Sequence, residues 1–111
     1  MKKIIILLIC IFVFLCGCSE EKTQLDEIIS KNNYIIVDVR TESEYKQSHI
    51  KKSINIPYDK IDKNTNLDKS KTILVYCKSG VRSSKAYNIL KNLGYDVVNL
   101  GSFDSIDLEK E

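Results

Sequence analysis

Cys77-Lys78-Ser79-Gly80-Val81-Arg82 brings a thiol, a hydroxyl, a glycine and two cationic side chains together in one short segment. Thr72 to Tyr76, just before it, reads as a strand buried on both faces, and Arg82 to Leu93, just after it, reads as a helix. Cys77 to Val81 is then the loop between them, and Cys77 stands at the carboxyl end of a strand, where open α/β sheets bind ligands. A tight loop there turns successive backbone N–H groups inward as an anion nest, and the helix N-terminus adds partial positive charge. Gly80 permits the positive φ that such a turn often needs. These features favour a thiolate: thiols with pKa values near 8.5 fall to about 3.5–7.5 in such surroundings. The same cradle, Lys78, Ser79, Gly80, Val81 and Arg82, would bind an anionic substrate.

Counting residue types sharpens this. The chain has two arginines, Arg82 in the cysteine loop and Arg40 just after the apolar run Tyr34 to Val39. A rigid guanidinium fork holds carboxylates or anions bidentately, which lysine cannot do. Arg40 is expected to bridge acidic side chains near the site. Arg82 is expected to contact the anion or to cap the loop. Asp38, at the end of the run Tyr34 to Val39, is expected to order the loops by hydrogen bonding. His49 is the one histidine and reads as structural. One histidine and one free cysteine make a poor ligand set, so neither a metal nor another cofactor is expected.

The other cysteines belong to a different argument. Lys2-Lys3 precedes the apolar run Ile4 to Leu15, too short for a spanning helix of roughly 20 residues and of the right length for a signal-peptide core. Leu15-Cys16-Gly17-Cys18 resembles a bacterial lipobox. Cleavage after Gly17 would leave Cys18 to carry the lipid, with Ser19 to Lys22 as a short polar tether. The expected division is residues 1–17 as leader, 18–22 as tether and 23–111 as the folded domain. The domain would be held by lipid on the extracytoplasmic face of the cell membrane, with Cys77 its one unmodified thiol. The leader's two lysines account for the excess of 17 basic over 15 acidic residues. A neutral domain gives no sign of nucleic-acid binding.

The remaining elements must position this loop. Thr23 to Lys31 has helical spacing, with Thr23 as a candidate N-cap and Asn32-Asn33 as its end. Tyr34 to Val39 is a β-branched run suited to a buried parallel strand. Thr41-Glu42-Ser43-Glu44 matches a capping box, so a helical turn should follow through Gln47. Ile54 to Ile56 is a short strand stopped by Pro57, Tyr58 to Lys63 a helical turn, and Asn64 to Lys71 a loop. Gly94 sits where a glycine ends the helix of Ala86, Ile89, Leu90 and Leu93. Asp96 to Leu100 is the last strand, and the polar tail from Ser102 offers Phe103, Ile106 and Leu108 for packing. Strands alternating with helices give an α/β fold with a central parallel sheet flanked by helices.

The loop is similar to the rhodanese active-site loop, in which a cysteine leads a six-residue cradle ending in a basic residue. Asp38-Val39-Arg40, Glu42, Glu44-Tyr45, His49-Ile50, Asn55-Ile56-Pro57, Leu93-Gly94-Tyr95 and Asn99-Leu100-Gly101 match the family's motifs in order. Ser48, Lys52 and Ser53 depart from small residues, Lys78 from arginine, Ser102 from glycine and Ile106 from tryptophan. The resemblance implies a rhodanese-like three-layer fold and a sulfurtransferase, and the chain is expected to be a monomer. Cys77 would take sulfane sulfur from thiosulfate or a persulfide and pass it to an external thiol or cyanide. Two rivals remain. A non-catalytic binding module would keep the fold alone. A phosphatase or arsenate reductase would place five residues between cysteine and arginine, whereas Lys78 to Val81 is four.

Overall fold

The structure, a computed structural model, describes residues 20–111. The leader, the lipobox through Cys18, and Ser19 lie outside the described residues. These residues form two units, divided between Asn32 and Asn33. The first contains helix α1 (Glu20–Lys31), which already includes Glu20. Thr23 is therefore inside the helix and does not cap it. Asn32 ends it with a φ of 52°, a left-handed conformation that asparagine tolerates.

The second unit, Asn33–Glu111, is an α/β layer around four parallel strands: β1 (Tyr34–Asp38), β2 (Ile54–Asn55), β3 (Thr72–Cys77) and β4 (Asp96–Ser102). Their spatial order is β2-β1-β3-β4, so the two long apolar runs lie side by side at the centre. Ile73 to Cys77 are all fully buried. Alternation sends Ile73, Val75 and Cys77 to the face covered by helix α3 (Val81–Asn92), where they meet Ala86 and Leu90. Leu74 and Tyr76 take the opposite face. Each fully buried aliphatic side chain contributes roughly 1.5–3 kcal/mol, which makes β3 the best-anchored strand to carry a reactive group.

The capping box forms: Thr41 Oγ1 accepts from the Glu44 N–H and Glu44 Oε1 accepts from the Thr41 N–H, opening helix α2 (Glu42–Gln47). Tyr58–Lys60 is a single 3-10 turn, shorter than the segment read to Lys63. At the end of α3, the Tyr95 N–H reaches Leu90 O and the Gly94 N–H reaches Lys91 O, with Gly94 at φ 95°. This pairing satisfies the last carbonyls and turns the chain into β4.

β4 runs two residues beyond its predicted end. A bulge opposite Val75/Tyr76 leaves Leu100 unpaired, with Gly101 at φ 82° and its N–H on Asn99 Oδ1. The bulge lets Ser102 pair with Cys77. Of the departures from the family pattern, Ile106 is buried, and Ser53 is buried with its hydroxyl on Ile50 O and beside the Tyr76 hydroxyl. Lys52 holds a φ of 73°, where a glycine would be unstrained.

Candidate active site

Strand β3 and helix α3 are joined by Lys78, Ser79 and Gly80 alone, because Cys77 is in the strand and Val81 in the helix. The predicted five-residue loop is thus shortened at both ends. Pairing of Cys77 with Ser102 extends the strand, and the Ser84 N–H on Gly80 O starts the helix. Gly80 stands at φ 97°, which carries the chain through the reversal. The Ser102 hydroxyl donates to Lys78 O at 2.8 Å and ties the loop to the end of β4.

Cys77 is a free thiol with 0% of its surface exposed. The Gly80 N–H donates to Sγ at 2.8 Å, and the thiol donates to Ser83 Oγ at 3.4 Å. Burial pushes the thiol's pKa up. The Ser83 hydroxyl and the N–H groups of Ser83, Gly80 and Ser79 push it down, and their combined effect wins, leaving the pKa below its ordinary value. Of the N–H groups expected to form a nest, that of Gly80 makes a hydrogen bond to Sγ.

Sequence reasoning does not bring out Ser83. It is fully buried in the first turn of α3, and its hydroxyl donates to Gly80 O at 3.1 Å. That carbonyl also accepts from the Ser84 hydroxyl at 2.8 Å and the Ser84 N–H at 3.1 Å. Ser83 can therefore release it and turn its hydrogen to Sγ when the thiol ionises, leaving no carbonyl bare. The available signal was periodicity: Ser83, Ala86 and Leu90 form one buried stripe, and a serine on such a stripe needs a polar partner. Ser83→Ala should move the midpoint of Cys77 alkylation against pH upward, while Ser83→Thr should hold it. An unmoved midpoint in Ser83→Ala would mean that the backbone N–H groups alone hold the thiolate.

Arg82 is engaged elsewhere. Its Nη1 and Nη2 donate to Glu44 Oε1 and Oε2 at 2.7 and 3.0 Å, a bidentate pair linking the starts of α2 and α3. Arg82, partly offset by burial and helped by Thr41, holds the Glu44 carboxyl down at about 2. The pair thus stays charged at neutral pH. The sequence does not single out Glu44 as a site residue either, since the capping box accounts for it locally. Lys78 and Ser79 are exposed, and Val81 presents an apolar side chain, 60% exposed, at the rim.

Asp38 and Arg40 sit at the neighbouring strand end, where Asp38 pairs in register with Tyr76. They form a buried ion pair, with Arg40 Nε donating to both carboxylate oxygens at 2.9 Å and Nη2 to Oδ2 at 2.6 Å. Arg40 Nη2 also reaches Ser48 O at 2.6 Å, and its guanidinium lies 4.4 Å from the Phe103 ring centroid. His49 bonds Tyr45 O and Glu111, away from Cys77.

Comparison with known proteins fits this geometry. The sequence model of the Rhodanese-like domain matches residues 21–108. Thiosulfate sulfurtransferase PspE of Escherichia coli K12 is 36% identical over 78 residues, covering 67% of this chain and 75% of that protein. A tRNA uridine(34) hydroxylase of Rickettsia canadensis is 34% identical over 86 residues, and the matched region spans only 34% of its length. A solved structure described as a rhodanese with anions from E. coli shares a TM-score of 0.65 at 35% identity, over 70% of this chain and 96% of that one. A Staphylococcus saprophyticus protein gives a TM-score of 0.64 at 32% identity, over 78% and 93%.

Proposed function

The chain belongs to the rhodanese-like domain family, and from that premise we propose that it is a sulfurtransferase working by double displacement at Cys77. The observation that carries this reading is the free Cys77 sulfur at the end of β3, receiving the Gly80 N–H at 2.8 Å. The thiolate attacks the sulfane sulfur of thiosulfate or a persulfide. A Cys77–sulfur bond forms, the donor's S–S bond breaks, and sulfite or a thiolate leaves with the electron pair. N–H groups of the loop stabilise the terminal sulfur of the persulfide. An external thiol or cyanide then takes that sulfur. The test is to give the protein thiosulfate and a persulfide with cyanide as acceptor, and separately a phosphate ester. Thiocyanate from either donor with negligible phosphate release is expected. Phosphate release without thiocyanate would favour an oxyanion hydrolase, despite four residues between Cys77 and Arg82.

Lipid attachment at Cys18 is part of the proposal, and its support is the sequence Leu15-Cys16-Gly17-Cys18. Several acyl chains anchor a protein firmly, at roughly 0.8 kcal/mol per buried methylene. Cys18→Ala should leave an unprocessed precursor or release the protein from membranes. An unlipidated wild-type protein that fractionates like the variant would remove the anchor from the proposal.

A further inference from the structure

We infer that Glu44 sets the donor preference of the site proposed above, occupying the fork of Arg82 so that the Cys77 loop favours persulfides of low charge over dianionic thiosulfate. The inference rests on the sulfurtransferase reading and narrows its donor class.

Glu44 is fixed from two sides. Its Oε1 accepts from the N–H and hydroxyl of Thr41 at 3.2 and 3.0 Å, and both oxygens hold Arg82. The carboxylate therefore fills the guanidinium fork that would otherwise be free to hold a donor's sulfonate. Arg40, the chain's other arginine, is committed to Asp38 and Ser48 O. Among the described residues, the loop itself then offers an arriving anion its backbone N–H groups and the exposed Lys78. Thiosulfate would bring two negative charges to a thiolate already beside the Glu44–Arg82 pair. A persulfide brings one or none.

Size points the same way. Cys77 is fully buried and its loop is three residues long. Each donor leads with one sulfur atom, but behind it thiosulfate carries a rigid tetrahedral sulfonate, whereas a persulfide carries a flexible chain. The balanced step is attack of Cys77 Sγ⁻ on the terminal sulfur of R–S–SH. The Sγ–S bond forms, the donor's S–S bond breaks, and R–S⁻ departs with the electron pair. The products are Cys77–S–SH and R–S⁻, and the persulfide proton can then pass to R–S⁻ through solvent. Sulfur is transferred at its original oxidation level, so no further oxidant or reductant is required.

Glu44 is a positioning residue in this account, and donor choice is a readout that a merely structural role would not move selectively. The full chain and Glu44→Gln are assayed at low ionic strength with cysteine persulfide and with thiosulfate, cyanide being the acceptor in both. Glutamine at this position keeps the capping box and removes the charge. The wild type should favour the persulfide in kcat/KM by about tenfold or more. Glu44→Gln should raise kcat/KM for thiosulfate about three- to tenfold, chiefly through KM, and so move the thiosulfate-to-persulfide ratio toward thiosulfate. Thiosulfate kinetics unchanged or worsened in Glu44→Gln would overturn the inference, as would a wild type that uses thiosulfate at least as well as the persulfide. If Glu44→Gln loses its circular dichroism signal, the wild-type donor ratio decides. A wild type that loads Cys77 from neither donor would overturn the sulfurtransferase reading itself.

Discussion

Cys77→Ser is expected to cut sulfur transfer to below about a thousandth of the wild-type rate and to leave no sulfur adduct on the peptide carrying residue 77. Serine oxygen is a poor nucleophile toward divalent sulfur, and no other thiol occurs among residues 20–111. The fold should survive. The new hydroxyl keeps the Gly80 N–H and Ser83 Oγ as partners in place of Sγ, so the stability loss should be about 1 kcal/mol. Mass spectrometry after donor treatment, together with a denaturation curve, measures both. A Cys77→Ser protein that folds and still transfers sulfur would falsify the mechanism.

Arg40→Ala should cost about 3–5 kcal/mol, a large share of the roughly 5–15 kcal/mol that keeps a domain folded. The residue is 6% exposed and Asp38 is 0% exposed. Removing the guanidinium leaves a carboxylate stranded beneath the sheet end, takes a donor from Ser48 O and uncovers Phe103. The urea midpoint should fall by about 2–3 M. Replacing both partners, Asp38→Asn with Arg40→Met, should recover much of the loss, because no lone charge remains. A loss under about 1 kcal/mol for Arg40→Ala would mean that water reaches Asp38 despite its burial. The expected consequence for function is indirect: Asp38 pairs with Tyr76, the residue before the nucleophile.

What was legible in the sequence was local. β-branched runs marked β1 and β3, the Thr41-x-x-Glu44 spacing marked the start of α2, and Gly80 and Gly94 marked two reversals that need positive φ. Each depends on residues within a turn or two of one another. The contacts that tune the site are longer in range. Arg82 meets Glu44 across 38 positions, and Ser102 reaches Lys78 O across 24. Neither follows from periodicity. Arg82 on its own reads equally well as an anion receptor, and only the fold supplies the carboxylate that occupies it. The bulge at Leu100 was hidden for a related reason: an extra residue preserves the apolar character of a strand while shifting its register. Thr23 was misread because its composition suits a cap, while the helix already includes Glu20.

The zero exposure of Cys77 also has a consequence in time. Cys77 Sγ lies beneath Lys78–Gly80 with none of its surface exposed, so donor and acceptor alike reach the sulfur only when that strap moves. Delivery then waits on an opening of that three-residue strap, which the Ser102 hydroxyl and the Gly80 carbonyl's three donors hold shut. The half-life of the loaded protein becomes a property of backbone breathing more than of acceptor concentration. Decay of the persulfide after donor removal should level off as acceptor thiol is raised, at a ceiling that Ser102→Ala lifts by freeing the strap. A decay rate that keeps climbing in proportion to acceptor would mean that the sulfur is never sequestered.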